Sequence, residues 1–327
     1  MKIGKVPENV LKRSVLKQLH TKREEVLFGA SVGEDCCALK LQEDEVFVMS
    51  TDPITGTAKD IGNLAIIITA NDLASAGATP IGVMLTILLP ENTEESELKE
   101  IMKQADVVCA KLNIQIMGGH TEVTKVVNQP VISVVGVGKV KKGHFISTAG
   151  ARPGMDILVT KWIGIEGTAV IAKEKEEQLQ SRFSQNFIDK AKAMEELIPV
   201  VAEAAVATTS GVSAMHDVTE GGIFGALWEM AQASGVGLEI DLKKIPVKQE
   251  TIEICEFFGI NPYELISSGC MLMAAEDGNQ LVHELKKAGI TCTVIGKATN
   301  SNDRILMNED EQRFLEPPKT DELYKVI

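Results

Sequence analysis

The sequence predicts an α/β fold of the α+β kind, organised as two domains. Three observations carry this: amphipathic helical segments alternate with short apolar runs, the composition breaks near residue 150, and 327 residues suffice for two separate cores. With 44% apolar and 24% charged residues, the chain has the make-up of an ordinary globular protein. Its net charge of −13 at pH 7 opposes nonspecific binding to nucleic acid or an anionic membrane, both themselves negative. No apolar run approaches the roughly 20 residues of a membrane helix, and Met1-Lys2-Ile3-Gly4-Lys5 leads into no signal-like stretch. A cytoplasmic protein with no nucleic-acid or membrane partner is expected. The six cysteines, at 36, 37, 109, 255, 270 and 292, form no CxxC pair and no Cys/His cluster. Buried free thiols are therefore expected rather than zinc or disulfides.

Residues 46–50 read as a strand, with Asp52 just beyond its end, and residues 61–76 as a helix carrying Asn71 and Asp72 on or near its face. Residues 82–89 form an apolar run closed by Pro90, the pattern of a buried strand. A regular helix spans 94–112: Leu98, Ile101, Met102, Ala105, Val108, Cys109 and Leu112 fall on one stripe, and Glu94, Glu95 and Glu97 suit its N-terminus. Strands follow at 114–117 and 131–137. A turn at Lys141-Lys142-Gly143 and a loop over 149–154 set the domain boundary, giving domains 1–150 and 151–327.

The second half opens with a strand at 156–160 and a glycine loop, Gly164-Ile165-Glu166-Gly167, ahead of a helix. A charged helical stretch covers 186–207. Then His216-Asp217-Val218-Thr219-Glu220-Gly221-Gly222 directly precedes an amphipathic segment at 223–233. Thr219 or Asp217 is placed to cap that helix, leaving free N–H groups to face an anion. Strands near 236–241, 270–275 and 292–296 alternate with helices near 248–258 and 277–288.

The chemistry gathers in the first 125 residues, where three acidic turns, Gly33-Glu34-Asp35, Thr51-Asp52-Pro53 and Asn71-Asp72-Leu73, precede the run Met117-Gly118-Gly119-His120-Thr121-Glu122. Hard carboxylate oxygens beside flexible backbone suit a Mg²⁺ ion carrying the phosphates of ATP. Taken singly, each Asp serves equally well as a helix cap or Asx-turn residue. Taken together, a fold that joins the strand ends bearing Asp52 and Gly118-Gly119 would make one anionic pocket, where unneutralised carboxylates would raise one another's pKa. The expected metal ligands are Asp35, Asp52 and Asp72, with Gly33, Asn71, Gly118, Gly119 and Thr121 around the nucleotide. His120 and Glu122 are the catalytic candidates, although His120 suits a structural polar role too. Asp217, Gly221 and Gly222 serve a helix cap or a substrate or phosphate contact, and Lys2 and Lys5 either reach a triphosphate or stay solvated.

In order and spelling these segments resemble the aminoimidazole ribonucleotide (AIR) synthetase superfamily, the PurM-like fold, which includes thiamine-monophosphate kinase, selenophosphate synthetase and the hydrogenase-maturation dehydratase. Gly33-Glu34-Asp35-Cys36-Cys37-Ala38 is similar to the superfamily's G-D-D-A-A metal loop and Thr51-Asp52-Pro53 to its next Asp. Asn71-Asp72-Leu73-Ala74 with Gly77, Ala78 and Pro80 matches N-D-L-A-x-x-G-A-x-P, and Gly118-Gly119-His120-Thr121 its G-G-(D/E/H)-T. His216 to Gly222 is similar to the H-D-x-T-R-G-G of the hydrogenase-maturation branch, and 255–262 also reads like that branch. The resemblance implies a homodimer whose N-terminal sheets join in a β-barrel, Mg-ATP near the dimer interface, and a C-terminal α/β domain that closes over it. It further implies that ATP phosphorylates a substrate oxygen, with positioning and charge neutralisation supplying most of the catalysis.

This sequence departs from the pattern in three places. Glu34 replaces an Asp of the metal loop, Glu220 stands where the branch has Arg, and the last cysteine is Cys292, whereas the dehydratase carries its substrate on a C-terminal cysteine. A maturation-like relative acting on a free small molecule, or on a group borne by a carrier protein, is therefore expected. The alternatives are a small-molecule kinase similar to thiamine-monophosphate kinase and a noncatalytic nucleotide-binding partner or regulatory protein.

Overall fold

The stripe at 98–109 is the inner face of a helix that links two parallel strands. The computed structural model describes residues 3–31, 36–55, 60–317 and 320–327. Lys2, Gly33, Glu34 and Asp35 lie outside the described residues. The chain divides into two units, Met1–Ala74 with Ala78–Phe145, and Ser75–Gly77 with Ile146–Ile327.

In the first unit the order is β1 (Gly4–Lys5), α1 (Glu8–Val10), β2 (Val26–Phe28), β3 (Ala38–Leu39), β4 (Glu45–Ile54), α2 (Ile61–Ser75), β5 (Thr79–Leu89), α3 (Glu95–Leu112), β6 (Gln115–Val123) and β7 (Val131–Lys141). Between α1 and β2 the chain makes a π-helical turn, Leu11–Val15, and a 3-10 turn, Leu16–Gln18. The strands form one sheet in the order β1-β6-β5-β7-β4, with β2 and β3 paired separately. Strands β5 and β6 run parallel across α3, and β7 runs antiparallel to both β5 and β4. Helix α3 starts in a capping box in which Glu94 N donates to Glu97 Oε1 at 2.8 Å, and it ends at Asn113 in the left-handed region.

One face of this sheet is covered by α2 and α3. Its inward residues, among them Val83, Leu85, Ile87, Ile132 and Val134, are buried. Gly136 lets α2 approach closely, since a Cβ there would stand 2.3 Å from Thr69 Cγ2. Residues of the other face, Met84, Thr86, Leu88 and Ser133, are half-buried or exposed. Phe47 and Met49 on β4 are 43% and 64% exposed there. Beside the sheet, Arg23 and Lys139 both pair with Glu25, at 2.8 and 3.1 Å, and Lys139 also reaches Glu45 at 3.0 Å.

The second unit contains β8 (Asp156–Thr160), α4 (Ile165–Glu174), α5 (Glu176–Leu179), α6 (Gln185–Lys192), α7 (Val201–Thr208), β9 (Val212–Asp217), α8 (Gly222–Ser234), β10 (Gly237–Asp241), α9 (Gln249–Phe258), β11 (Met271–Ala275), α10 (Gly278–Lys287), β12 (Cys292–Thr299), β13 (Arg304–Asn308) and β14 (Glu311–Phe314). The sheet order is β14-β13-β10-β12-β8-β11-β9. The expected helix at 186–207 is broken: α6 passes into a 3-10 segment at Ala193–Leu197, and Pro199 precedes α7. The layer of α8 against the sheet buries Ile223, Phe224, Leu227 and Met230 against Ile157, Val159 and Leu272.

Two strands are longer than expected, and both bear on the site. Strand β4 does not stop at Ser50 but runs through Asp52 and Pro53 to Ile54. It lies at the sheet's edge, where a proline costs no ladder hydrogen bond. Strand β6 does not stop at Met117 but runs through Gly118 and Gly119 to Val123, with a bulge opposite Val83 and Met84.

Candidate functional site

The N-D-L-A segment lies on the last turns of α2, facing the sheet. Asn71 is buried there, and Asp72 Oδ2 accepts a hydrogen bond from Ser50 Oγ on β4. Asp52 is two residues further along β4 and so projects from the same face as Ser50. The structure thus brings Asp52 and Asp72 to neighbouring positions on the helix-covered face. Asp35, the third expected ligand, and Gly33 fall outside the described residues. No group of three His, Cys, Asp or Glu side chains converges on a metal position among the described residues.

The glycine run lies elsewhere. The register places Asp52 opposite Val134, Val134 opposite Leu85, and Leu85 opposite Gly119, so Asp52 and Gly119 are three strand spacings apart, about 14 Å. The expectation that strand ends bring these residues into one pocket is therefore corrected within this unit: they lie inside strands on opposite flanks of the sheet. Gly119 has φ +150°, and a Cβ on it would stand 2.1 Å from the Leu85 carbonyl oxygen, so the glycine permits β6 to approach β5. At Gly118 a Cβ would meet only Met84 Cε, at 3.3 Å.

Alternation along β6 then divides its side chains. Thr121 is buried on the helix side, and its carbonyl accepts from Val6 N at 3.1 Å. His120 and Glu122 project from the open face, where His120 Nε2 lies 3.0 Å from Glu122 Oε2. Their side chains are therefore on the opposite face of the sheet from Asp52 and Asp72. Beneath β6, a cavity of about 90 Å³ is bounded by Leu11, Val15, Leu16, Leu19, Met102 and the 118–121 backbone.

In the second unit Asp217 ends β9, nearly buried and opposite Met271. Neither Asp217 nor Thr219 caps α8. Gly221 holds the cap position at φ +81°, and its N–H donates to Asp321 Oδ2 at 2.6 Å, across 100 residues of sequence. Asp321 Oδ1 also accepts from Ile266 N at 3.2 Å and Leu323 N at 2.8 Å. Gly222 is required beside it, since a Cβ would lie 2.6 Å from the Tyr263 carbonyl oxygen. His216 sits between Thr148 Oγ1, 3.4 Å from its Nδ1, and Glu229 Oε2, 2.7 Å from its Nε2.

Sequence reasoning missed Glu166 altogether. It lies in the first turn of α4, buried, with no partner for Oε2, and the Ser268 hydroxyl beside it only partly offsets the effect of burial. Burial pushes its carboxyl up to about 7, and the nearby Asp321 and Glu195 carboxylates add to that. Its only sequence signal was its place in the loop Gly164-Ile165-Glu166-Gly167.

Comparison with known proteins agrees with this architecture. Residues 33–140 match the N-terminal domain, and residues 152–307 the C-terminal domain, of AIR synthase related protein. A Methanocaldococcus jannaschii protein named for hydrogenase expression and formation is 29% identical over 313 residues, covering 93% of this chain and 91% of that protein. Carbamoyl dehydratase HypE of Cupriavidus necator is 31% identical over 278 residues, covering 79% and 76%. The crystal structure of hydrogenase maturation protein HypE in complex with ATP superposes with a TM-score of 0.82 at 18% identity, covering 99% of this chain and 97% of that one. The fold is thus the two-domain architecture of the PurM-like proteins. The chain belongs to the AIR synthase related family, in the branch that contains HypE.

Proposed function

We propose that this chain is a Mg²⁺-dependent, ATP-using enzyme that phosphorylates an oxygen of its substrate and thereby activates it. The observation that carries the reading is the placement of Asp72 against Ser50, beside Asp52, in a chain related to proteins named carbamoyl dehydratase and similar in fold to a HypE solved with ATP. The donor set fits the ion. Mg²⁺ prefers hard oxygens and takes one or two carboxylates, completing its shell with water and phosphate, and Asp52 and Asp72 are such a pair. Asp35 would join them, and the bound ion would offset the charge of the phosphates.

The chain's own residues then have separable duties. Asp52 and Asp72 fix the metal position, with the Ser50 hydroxyl orienting the Asp72 carboxylate. Gly33 and Asn71 are assigned to nucleotide contact and Asp217, Gly221 and Gly222 to substrate or phosphate contact, whereas Gly118, Gly119 and Thr121, three strand spacings from Asp52, serve the packing of β6 against β5. His120, oriented by Glu122 at 3.0 Å, is the acid-base candidate of the open face. That face carries exposed Phe47 and Met49, and a second copy of the chain packed there would form a homodimer and bring partner groups to His120. Sedimentation velocity showing one species of twice the 35.3 kDa chain mass supports the dimer, and a monomer at micromolar concentration rejects it.

The substrate is a small molecule or a group borne on a carrier protein. The test is to incubate the enzyme with γ-labelled ATP and a metabolite pool. Pool-dependent release of labelled phosphate is expected. A stable labelled metabolite would instead indicate a kinase, and no turnover with any pool would reject the enzyme reading.

A further inference from the structure

Two of the six cysteines are adjacent, at the positions where the superfamily's metal loop has alanines, and the structure shows what lies against them. Cys36 is exposed and Cys37 half-buried, whereas Cys109, Cys255 and Cys270 are enclosed in the cores. Cys37 Sγ lies 3.9 Å from the thioether Sδ of Met84. Met84 projects from the open face of the first unit's sheet and, like Cys37, is half-buried.

We propose that Cys37 and Met84 form a binding site for a soft monovalent cation of the copper(I) class. The spacing suits one ion between the two sulfurs. With metal–sulfur bonds of about 2.3 Å, a 3.9 Å separation corresponds to an S–M–S angle of roughly 115°, close to trigonal. The donor types decide the class of ion, because a thiolate beside a thioether favours copper(I) and disfavours Mg²⁺, which seeks the carboxylates. Met84 projects from the face opposite Asp52 and Asp72. Binding replaces the thiol proton of Cys37 with the metal and releases that proton to solvent, with no change of oxidation state.

The test uses the full-length protein without nucleotide, so its outcome is independent of the ATP reading. Silver(I), a redox-inert stand-in, and copper(I) buffered by a chromophoric chelator under anaerobic conditions are the probes. Wild type and Cys292→Ser should each withdraw one equivalent. Met84→Leu, which conserves volume, and Cys37→Ser should each bind at least about tenfold more weakly, since losing a ligand exceeds the usual effect of losing a supporting contact. Circular dichroism confirms that the variants remain folded. Wild type that withdraws no metal from the chelator, or Met84→Leu and Cys37→Ser variants that match wild type, would overturn the proposal.

Discussion

Glu166→Gln should stabilise the second unit at neutral and alkaline pH but not at low pH. The folded-state carboxyl titrates at about 7 against an ordinary 4.5, chiefly because it is buried. Below 4.5 both folded and unfolded chains hold the proton, and Glu166 costs nothing. Between 4.5 and 7 the unfolded chain releases it while the folded chain keeps it, so stability falls as pH rises; above 7 the penalty is constant. Its size is about 3 kcal/mol, and an amide, which never ionises, removes it. Both tryptophans, Trp162 and Trp228, lie in this unit, so urea unfolding followed by their fluorescence reports on it directly. The stability difference between variant and wild type should grow from near zero at pH 4 to about 3 kcal/mol at pH 8. A difference independent of pH, or one that shrinks as pH rises, would refute the reasoning.

The first unit supplies two further tests. Glu25, held down at about 2 mainly by its hydrogen bond to Arg23, contributes stability that is complete above 4.5 and lost as pH falls from there through 2. Glu25→Gln should therefore cost about 2 kcal/mol at pH 7 and almost nothing near pH 2, by denaturant titration followed by circular dichroism. Gly119→Ala should cost about 3 kcal/mol or more, because its Cβ would meet backbone and its φ is unfavourable for alanine, whereas Gly118→Ala should stay within about 1 kcal/mol. Thermal melts of the two variants side by side check this.

Where periodicity controlled the outcome, the fold was legible. The stripe Leu98, Ile101, Met102, Ala105, Val108 and Cys109 is the buried face of α3, and the segments near 156–160, 223–233 and 270–275 became β8, α8 and β11. The site was less legible, because local spelling carries no tertiary context. Thr51-Asp52-Pro53 read as a turn beyond the strand's end, yet β4 is an edge strand that runs through it and tolerates the proline. Gly118-Gly119 read as lying at a strand's end, yet β6 runs through both, and Gly119 serves a close approach between strands. The partner of the Gly221 N–H at the start of α8 could not be read from nearby sequence, because Asp321 supplies it from the other end of the unit. Glu166 was invisible for the same reason, its pKa being set by burial and by carboxylates from distant segments.

The central claim is that carboxylates beside Ser50 hold Mg²⁺ for ATP, and calorimetry of ATP binding with Mg²⁺ and with EDTA tests it most directly. Wild type should bind far more tightly with Mg²⁺, and Asp72→Asn, which can keep its hydrogen bond to Ser50 but not the charge, should lose most of that gain while binding in EDTA stays unchanged. Equal losses in Mg²⁺ and EDTA, or no ATP binding by wild type under either condition, would contradict the account.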